Sequence, residues 1–599
     1  MATARNMFEV FKSRVATSGD RIALKKKVDG QWRAVTWNQW AQTSKNFSLA
    51  LMATGMKAGD RVAILSNSRA EWVESDFGII GAGGITVPIY QSNTPDQCEY
   101  ILNDSESRYV VAEDAAQLAK LQKIRGNLKS VEKVILVSGT VGNGVDAAWV
   151  VGYADFLNRG AEYGVAHSAE FEARTSAIKP GDPITFVYTS GTTGPPKGVV
   201  LTHANFVFEC DAVNQALTLG EDDEQVLFLP LAHIFAKILV FASIQTGSMI
   251  AFAESIEKLI DNVGEIRPTF LASVPRIYEK VYGKVKGDVE TAGGLKKKIF
   301  DWAVKVGREV SVMKQRGDLP TGWLAFKYKI ATKLVFSKLQ ARFGGNLKFF
   351  VSGGAPLSRE IAEFFHAAGL LILEGFGLTE TTAASHVNRL DMYRFGSVGP
   401  ALPGVDCKIA EDGEVLLRGP NIMREYYKKP DDTRACLTPD GWFHTGDIGV
   451  IDKSGILTIT DRKKDLIVTA GGKNVAPQNI ENALKTSRFV SQVMVHGDKR
   501  NYLTALITLN EENVKAWAAH QGISAGSFAE LSQRPEVRAL LQGVIEEKNR
   551  ELASYESIKK FVILDHDLAQ DTGELTPTLK VKRKFTTEKY QTLLDQMYA

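Results

Sequence analysis

The chain has 599 residues, 44% of them hydrophobic and 24% charged, and a formal net charge of +3. This balance is typical of a large soluble protein with several domains, and it excludes a disordered tail, a collagen-like polymer and a disulfide-stapled miniprotein. So small a net charge gives no support to nucleic-acid binding. The four cysteines, Cys98, Cys210, Cys407 and Cys436, form no CxxC pair, which favours buried thiols in a reducing compartment over a zinc or redox site.

The sequence predicts no secretory or membrane-spanning segment. Residues 1–8 contain no apolar core of signal-peptide length. The longest apolar stretch, 238–253, is interrupted at 245–248 and falls short of the about 20 residues that a span needs. The last residues are not a peroxisomal signal. We therefore expect a cytoplasmic protein.

The N-terminal half alternates between short apolar strands and amphipathic helices. Strands are predicted at 61–66, 85–90, 108–112 and 134–137, with helices at 71–80, 95–103 and 115–124 between them. A second run predicts strands at 225–228, 248–252 and 269–273, with helices at 234–243 and 256–263. This alternation is typical of βαβ units and predicts an α/β fold whose large N-terminal domain consists of mostly parallel βαβ layers.

The segment 279–348 is strongly basic, with sixteen Lys or Arg against six Asp or Glu. Two long helices are predicted there, at 295–313 and 323–343. One interpretation is a solvated helix face. The other is a basic amphipathic patch that contacts an anionic membrane surface, which would make the protein peripheral to the membrane. The two interpretations are compatible.

From residue 456 onward the pattern changes. The charged run Asp461–Asp465 follows a predicted strand at 456–460 and is typical of an interdomain hinge. Beyond it, strands at 490–495 and 503–509 and helices at 512–520 and 536–553 predict a smaller α+β domain. We therefore divide the chain into a large N-terminal domain (1–460), a hinge (461–466) and a smaller C-terminal domain (467–599).

The strongest local signal is the loop 188–198, which reads Tyr-Thr-Ser-Gly-Thr-Thr-Gly-Pro-Pro-Lys-Gly between a strand at 184–187 and a helix that begins near Thr202. Its backbone N–H groups and hydroxyls can surround phosphate oxygens. It is not a GxxxxGK[ST] loop, because Pro196 precedes Lys197 and Gly198 follows it. The candidate phosphate-binding residues are Thr189, Ser190, Gly191, Thr192, Thr193 and Lys197.

This loop resembles the signature of the adenylate-forming ligases, which include acyl-CoA synthetases, luciferases and the adenylation domains of peptide synthetases. Further family motifs follow in order: 375–380 (Gly-Phe-Gly-Leu-Thr-Glu) resembles the aromatic box, 445–447 (Thr-Gly-Asp) the ribose box, Arg462 with Lys464 the hinge, and 576–583 the C-terminal lysine motif. The resemblance extends from Thr36 to Lys584. It implies that the N-terminal domain (1–460) binds ATP and the acyl group and that the smaller C-terminal domain (467–599) is mobile.

The resemblance implies a role for each matched residue, in a site that directs cations and hydroxyls at the α-phosphate of ATP. Lys580, Thr379, Glu380 and Lys197 would be catalytic. Glu380 would also hold Mg²⁺, a hard cation that prefers oxygen ligands.

The remaining matched residues would bind the nucleoside. Asp447 would accept hydrogen bonds from both ribose hydroxyls, and Arg462 would hold the ribose in position. Phe376 would stack on adenine; the family usually has tyrosine there, so the stacking face is kept and the hydroxyl is lost. The other nucleotide-binding candidates are Gly354, Ala355, Pro356, Gly375 and Gly377.

The segment 440–464 resembles fatty acyl-CoA synthetases, and 274–280 and 418–423 resemble their long-chain branch. Ile451 and Glu425 depart locally from that pattern, where tryptophan and glycine are usual. The branch implies an acyl tunnel near 228–252, with His233 as the acyl-binding candidate. A histidine on an apolar helix is at least as often a satisfied core residue, so both interpretations of His233 stay open.

The resemblance implies ATP-dependent activation of a long-chain fatty acid to acyl-adenylate, with release of pyrophosphate, and then transfer to coenzyme A. The C-terminal domain would turn about Lys464, withdraw Lys580 and present Gly471, Gly472 and Lys473 to coenzyme A. The Gly-Gly pair is also what a plain hairpin turn would contain.

Four alternatives remain: a fatty acyl-AMP ligase, a medium-chain acyl-CoA synthetase, a peptide-synthetase adenylation domain and a binding protein whose catalysis has decayed. The acyl-AMP ligase normally carries an insertion, and none occurs around Asp461. A carrier domain would follow a peptide-synthetase domain, whereas the chain continues only shortly beyond Lys584. The presence of Lys197, Glu380, Asp447 and Lys580 argues against decayed catalysis. The expected partners are fatty acid, ATP and coenzyme A, without nucleic acid, and the oligomeric state is open.

Overall fold

The computed structural model describes residues 5–139, 146–189, 195–576 and 579–599. In the first part of the chain, short strands alternate with helices. In chain order these elements are α1 (Met7–Ser18), β1 (Ile22–Val28), β2 (Gln31–Thr36), α2 (Trp37–Ala53), β3 (Arg61–Leu65), α3 (Ala70–Gly81), β4 (Ile85–Ile89), α4 (Pro95–Ser105), β5 (Ser107–Ala112), α5 (Ala115–Ile124), β6 (Lys133–Leu136), β7 (Val150–Gly152), α6 (Tyr153–Ser176) and β8 (Pro183–Thr189).

Between residues 197 and 387 the alternation continues but is interrupted by four consecutive helices. The elements are β9 (Lys197–Thr202), α7 (His203–Leu217), β10 (Glu224–Leu227), α8 (Ile234–Thr246), β11 (Met249–Phe252), α9 (Leu259–Ile266), β12 (Phe270–Ser273), α10 (Pro275–Ala292), α11 (Gly294–Gln315), α12 (Gly322–Ala331), α13 (Ser337–Arg342), β13 (Phe349–Ser352), α14 (Arg359–Ala367), β14 (Ile372–Phe376) and β15 (His386–Val387).

The remaining elements form an antiparallel unit and then the C-terminal part. Residues 399–462 contain β16 (Gly399–Pro400), β17 (Asp406–Ile409), β18 (Glu414–Arg418), β19 (Glu425–Tyr426), α15 (Pro430–Cys436), β20 (Phe443–Ile451) and β21 (Ile456–Arg462). Residues 467–599 contain β22 (Ile467–Val468), β23 (Asn474–Val475), α16 (Pro477–Lys485), β24 (Val490–His496), β25 (Leu503–Leu509), α17 (Glu511–His520), α18 (Phe528–Ser532), α19 (Pro535–Asn549), β26 (Ile558–Ile563), α20 (Arg583–Lys589) and α21 (Gln591–Gln596).

Side-chain caps set where several helices begin. Asn6, Thr36, Thr94 and Thr202 each stand at the N-cap, where the side chain accepts a hydrogen bond from the backbone N–H three residues later. In each case the residue at that third position returns a hydrogen bond, which completes a capping box. The start of α7 after Thr202 is the start that the sequence predicts.

Two eight-stranded sheets make up most of the N-terminal part. Their strand orders are β15-β14-β13-β12-β10-β11-β1-β2 and β19-β9-β8-β4-β3-β5-β6-β7. The inner strands pair in parallel, whereas β2 and β15 in the first sheet and β9 and β19 in the second pair antiparallel. Inner strands such as β4 are buried along their whole length, as expected for sheets covered on both faces. The predicted α/β fold is confirmed.

The C-terminal part has a separate, smaller α+β arrangement. Strands β24, β25 and β26 form a three-stranded sheet, and β22 pairs with β23. Its hydrophobic cluster is built from its own residues, with Val493, Ile507 and Leu541 nearly inaccessible to solvent. The antiparallel sheet β16-β21-β20-β18-β17 precedes it, and the chain leaves that sheet at Arg462.

The predicted elements between residues 61 and 137 are present, with ends within two residues of those predicted. The helix predicted over 323–343 is present as an unbroken helical segment over 322–342, but it is not α-helical throughout. A π-helical turn at Thr332–Phe336 separates α12 from α13 and brings Phe336 into the core. Hydrophobic periodicity does not detect such a local register change. Strand β26 was also missed, because the exposed Lys559 and Lys560 interrupt its apolar pattern.

None of the described helices combines the length and apolar character that a membrane span requires.

Candidate active site

A cavity of about 2070 Å³ is lined by both eight-stranded sheets, by the antiparallel sheet and by residues of the C-terminal part. It gathers most of the residues that the motifs predict, although they are far apart in the chain. Those that line it are Thr189, Lys197, His233, Gly354, Ala355, Pro356, Gly375, Phe376, Gly377, Thr379, Glu380, Asp447, Arg462, Lys464 and Lys580. The predicted Ser190, Gly191, Thr192 and Thr193 lie outside the described residues.

The phosphate-loop motif joins two antiparallel strands. Thr189 ends β8 and lies opposite Lys197, the first residue of β9. The sequence predicted that the loop leads from a strand to a helix and missed β9, whose Val199, Val200 and Leu201 are buried. The hairpin places the two ends of the loop side by side at the cavity wall.

The aromatic box begins at the end of β14 and continues into a 3₁₀ turn, Thr379–Thr381. Glycine is required at position 377, because a Cβ atom there would lie 1.6 Å from the carbonyl oxygen of Ala383. The Leu378 N–H donates to Thr381 Oγ1 at 2.8 Å, which closes the turn. Thr379 is buried, and both it and the half-buried Phe376 line the cavity.

Two residues that the sequence analysis did not identify hold the charged groups of the site. Tyr426 Oη donates to Glu380 Oε1 at 2.7 Å. Lys197 Nζ donates to Asp432 Oδ1 at 2.6 Å and lies 5.2 Å from the centre of the Tyr426 ring. The tyrosine could have been suspected as an aromatic residue three positions after the 418–423 segment, whereas no local signal distinguishes Asp432.

Glu380 suits a divalent metal that is bound mainly through a substrate. Among the described residues, no group of three or more His, Cys, Asp and Glu side chains could hold a metal ion by itself. Mg²⁺ commonly uses one or two protein carboxylates together with substrate phosphates and water. A single oriented carboxylate in the cavity that contains the predicted phosphate-binding residues therefore fits Mg²⁺.

The ribose candidates face each other across two antiparallel strands. Asp447 on β20 is directly opposite Arg462 on β21, and Arg462 Nε lies 3.4 Å from Asp447 Oδ1. Burial raises the pKa of Asp447, and the positive charges of Arg462 and Lys580 act against that rise. The Asp447 N–H donates to Thr445 Oγ1 at 3.1 Å, which orders the turn of the ribose box.

Lys580 enters the cavity from the C-terminal part. Loss of hydration lowers its pKa from 10.5 to about 8; the charge of Arg462 lowers it further and that of Asp447 raises it. Its carbonyl accepts from the Thr576 N–H at 2.8 Å and its N–H donates to Thr576 Oγ1 at 3.0 Å. The structure therefore brings Lys580 to the ribose residues, about 120 residues earlier in the chain.

His233 is the N-cap of α8, so it precedes that helix. Its Nδ1 accepts from the Phe235 N–H at 3.2 Å. Burial, followed by the charge of Lys580, lowers its pKa to about 4. The ring is therefore neutral at pH 7, and because Nδ1 is the acceptor, Nε2 carries the proton and can donate a hydrogen bond.

Beyond His233 the cavity becomes apolar. Its lining there comes from α7 and α8, through Val213, Leu217, Ile238, Leu239 and Ala242. The predicted 228–252 region thus contributes through its helix, whereas strand β11 lies in the buried sheet. The polar candidate residues and these apolar side chains therefore line one cavity.

The coenzyme A candidates lie elsewhere. Gly471 and Gly472 form the exposed turn between β22 and β23, and neither they nor Lys473 line the cavity. In this arrangement a Cβ atom on Gly471 would meet only Thr469 Oγ1, at 4.0 Å. Lys464, about which the C-terminal domain was predicted to rotate, follows β21 and lines the cavity.

Residues 11–427 match the family described as AMP-binding enzyme, and residues 464–599 match the AMP-binding enzyme C-terminal domain. The chain belongs to the AMP-binding enzymes. Among curated AMP-binding relatives, the long-chain-fatty-acid–CoA ligase FadD15 of Mycobacterium bovis is 37% identical over 97% of this chain and 94% of its own length. The human long-chain-fatty-acid–CoA ligase ACSBG2 is 31% identical over 98% of this chain and 92% of its own length.

Solved structures share the fold of this AMP-binding enzyme. The adenylation domain of a carboxylate reductase from Mycobacterium chelonae superposes with a TM-score of 0.75 and 20% identity, over 100% of this chain and 91% of that one. ATP-bound MatB from Rhodopseudomonas palustris gives a TM-score of 0.70 and 22% identity, over 98% of this chain and 100% of that one.

Proposed function

We propose that this AMP-binding enzyme is a long-chain fatty acid–CoA ligase of the AMP-forming type. The observation that carries this proposal is the continuous cavity, which joins an apolar pocket on α7 and α8 to a polar end containing Asp447, Arg462 and Lys580. The two FadD15 relatives in Mycobacterium, 37% and 36% identical over nearly the whole chain, carry the same activity in their names.

In the first half-reaction the fatty acid carboxylate attacks the α-phosphate of ATP. His233 Nε2–H can hold the carboxylate where the apolar pocket ends, and Lys580 and Thr379 stabilise the negative charge that develops at the phosphate. Asp447 and Arg462 hold the ribose, and Phe376 stacks on the adenine. The bond to pyrophosphate breaks and acyl-adenylate remains.

Glu380 would hold Mg²⁺ in this half-reaction. When bound, the metal would neutralise part of the negative charge of the phosphates. Tyr426 orients one oxygen of the Glu380 carboxylate through a hydrogen bond. The Asp432 carboxylate pairs with Lys197 until the phosphates of the substrate bind. Both contacts keep charged groups oriented before the substrate binds.

In the second half-reaction the thiol of coenzyme A attacks the acyl carbonyl and AMP leaves. We propose that the chain divides into a domain at 1–460, a hinge at 461–466 and a mobile domain at 467–599. Rotation about Lys464 would withdraw Lys580 and bring Gly471, Gly472 and Lys473 to the cavity. The separate hydrophobic core of the C-terminal part supports such rigid-body motion.

Pyrophosphate exchange into ATP, measured with and without palmitate, tests the first step. Exchange that requires the fatty acid, followed by thioester formation on addition of coenzyme A, is expected. Exchange without thioester formation would instead identify a fatty acyl-AMP ligase. Absence of exchange with any carboxylic acid would refute the proposal as a whole.

We also propose that the basic segment contacts an anionic membrane surface, and α12 is the element that fits it best. On this helix Trp323 and Phe326 are 67% and 51% exposed and stack with ring centres 5.2 Å apart. Leu334 in the following turn is 49% exposed. Aromatic rings on a surface helix rich in lysine suit the interfacial region of a bilayer.

Charge selects the bilayer over a second copy of the chain as the occupant of this face. Lys327 lies 5.7 Å from the Trp323 ring centre, and Lys329 and Lys333 are exposed on the same helical stretch. A symmetric dimer through this face would bring these lysines against one another, whereas anionic headgroups would pair with them.

A further inference from the structure

Helix α10 meets the C-terminal part along one side. Its other side is anchored in the N-terminal core: Tyr278 Oη donates to the Val351 carbonyl at 3.0 Å and Tyr282 Oη donates to Glu360 Oε1 at 2.6 Å. Arg276, Gly287 and Glu290 lie on the opposite side of the helix, at the spacing of one helical stripe. This stripe, which we call the α10 stripe, faces β24 and α17.

Arg276 makes the most specific contact of the α10 stripe. Its Nη1 donates to the Ser491 carbonyl and its Nη2 to Ser491 Oγ, both at 2.7 Å. Ser491 Oγ in turn donates to Asp567 Oδ2 at 2.5 Å, and Asp567 Oδ1 accepts from Thr508 Oγ1 at 2.5 Å and from the Leu568 N–H at 2.9 Å. The guanidinium is therefore bound to a prearranged polar cluster of the C-terminal part.

That cluster lies at the base of the segment that carries Lys580. Leu568 directly follows Asp567, and the chain then folds back on itself: the Lys582 N–H donates to the Glu574 carbonyl at 2.7 Å, and Leu575 bridges to Val581. The position of Lys580 in the cavity thus depends on where the cluster around Asp567 is held.

The other end of the α10 stripe adds a second charged contact and a close approach. Arg488 Nε lies 2.9 Å from Glu290 Oε2, with the Arg488 side chain 17% exposed. A Cβ atom on Gly287 would lie 2.8 Å from Asn513 Oδ1, so the two helices approach closely and the Asn513 side chain fills the space beside Gly287.

We propose that the α10 stripe is the docking surface that selects the adenylation orientation, and that Arg276 and Glu290 are positioning residues for Lys580. This inference rests on the proposed two-orientation cycle. A rotation that withdraws Lys580 must break these contacts, because they join the same two rigid bodies. These contacts therefore stabilise the orientation used for adenylation and not the orientation used for thioester formation.

The test measures both half-reactions in Arg276→Ala, Glu290→Arg, Arg488→Glu and the Glu290→Arg/Arg488→Glu double variant. Each single variant should lose about tenfold or more in palmitate-dependent pyrophosphate exchange, the scale of one charge-assisted hydrogen bond. Thioester formation from supplied palmitoyl-adenylate should stay at the parent rate or rise. The double variant restores opposite charges and should recover exchange. Asp288→Asn, on the same helix but paired with Arg342 of the N-terminal part, is the matched control.

A crosslink provides a second readout that loss of stability cannot mimic. Gly287→Cys with Asn513→Cys, once oxidised, should retain pyrophosphate exchange, lose thioester formation, and regain it with reductant. Equal loss of both half-reactions in Arg276→Ala, failure of the charge reversal to recover exchange, or full thioester activity in the crosslinked protein would overturn the inference. If the parent protein itself shows no exchange, the proposed function has failed rather than the docking surface.

Discussion

Lys580 carries its charge in a place from which water is largely withdrawn, near the charges of Arg462 and Asp447. In the proposed mechanism, negative charge accumulates beside Lys580 only during adenylation. Lys580→Ala should therefore reduce palmitate-dependent pyrophosphate release by about 10²–10³-fold, the scale for removing one charge-stabilising donor. The same variant should convert supplied acyl-adenylate and coenzyme A to thioester near the parent rate.

The matched control is Lys584→Ala, in the same basic tail. Lys584 is 67% exposed and its nearest acidic partner, Glu588, is 4.0 Å away. If Lys580→Ala behaves like this control, or if both half-reactions fall together, the role assigned to Lys580 is wrong.

Burial of the same lysine also predicts a pH dependence. Its pKa is lowered to about 8, and the cationic form is the one that stabilises the transition state. As pH rises through about 8 the ammonium loses its proton, so kcat/KM for adenylation should fall on the alkaline side. In Lys580→Arg the residual activity should stay level over this range, because a guanidinium does not deprotonate. Steady-state kinetics between pH 6 and about 9.5 would check this, and an alkaline limb that persists in Lys580→Arg would contradict it.

At the scale of elements, the proposed membrane contact of α12 has an apolar part and an electrostatic part, and only the electrostatic part depends on salt concentration. Trp323→Ser with Phe326→Ser removes apolar contact and should weaken binding to anionic vesicles even at high salt. Replacing Lys327, Lys329 and Lys333 by glutamine should remove the salt-sensitive part, about 1 kcal/mol per lysine near the surface. Vesicle sedimentation at two salt concentrations measures both.

The control for α12 replaces exposed apolar residues elsewhere, Leu390→Ser with Met392→Ser, which are 45% and 43% exposed. If the parent protein does not sediment with vesicles at physiological salt, the basic segment is only a solvated face.

At the scale of the whole molecule, the apolar part of the cavity predicts the substrate class. Each buried methylene contributes about 0.8 kcal/mol, so the pocket formed by α7 and α8 should favour long acyl chains. Palmitate or oleate should give far higher kcat/KM than acetate or butyrate. Equal efficiency for acetate and palmitate, measured as pyrophosphate release, would contradict the long-chain assignment while leaving adenylation intact.

The sequence by itself determined the alternation of strands and helices, the α/β class and the candidate list for the site. Strand and helix periods are local properties, and the phosphate loop, aromatic box and ribose box each fit within a few consecutive residues. Fifteen of the predicted residues line one cavity, because the fold brings the ends of β8, β9, β13, β14 and β21 together with the middle of β20.

Only the tertiary structure decided which distant groups act on these motifs. Tyr426 reaches Glu380 through a pairing of β19 with β9, and Asp432 reaches Lys197 from α15; neither contact follows from spacing along the chain. The α10 stripe is recognisable only once β24 is packed against it. A local sequence pattern specifies whether a segment forms a helix or a strand. Which other segment it packs against depends on burial and charge over the whole chain, and these are defined only in the folded molecule.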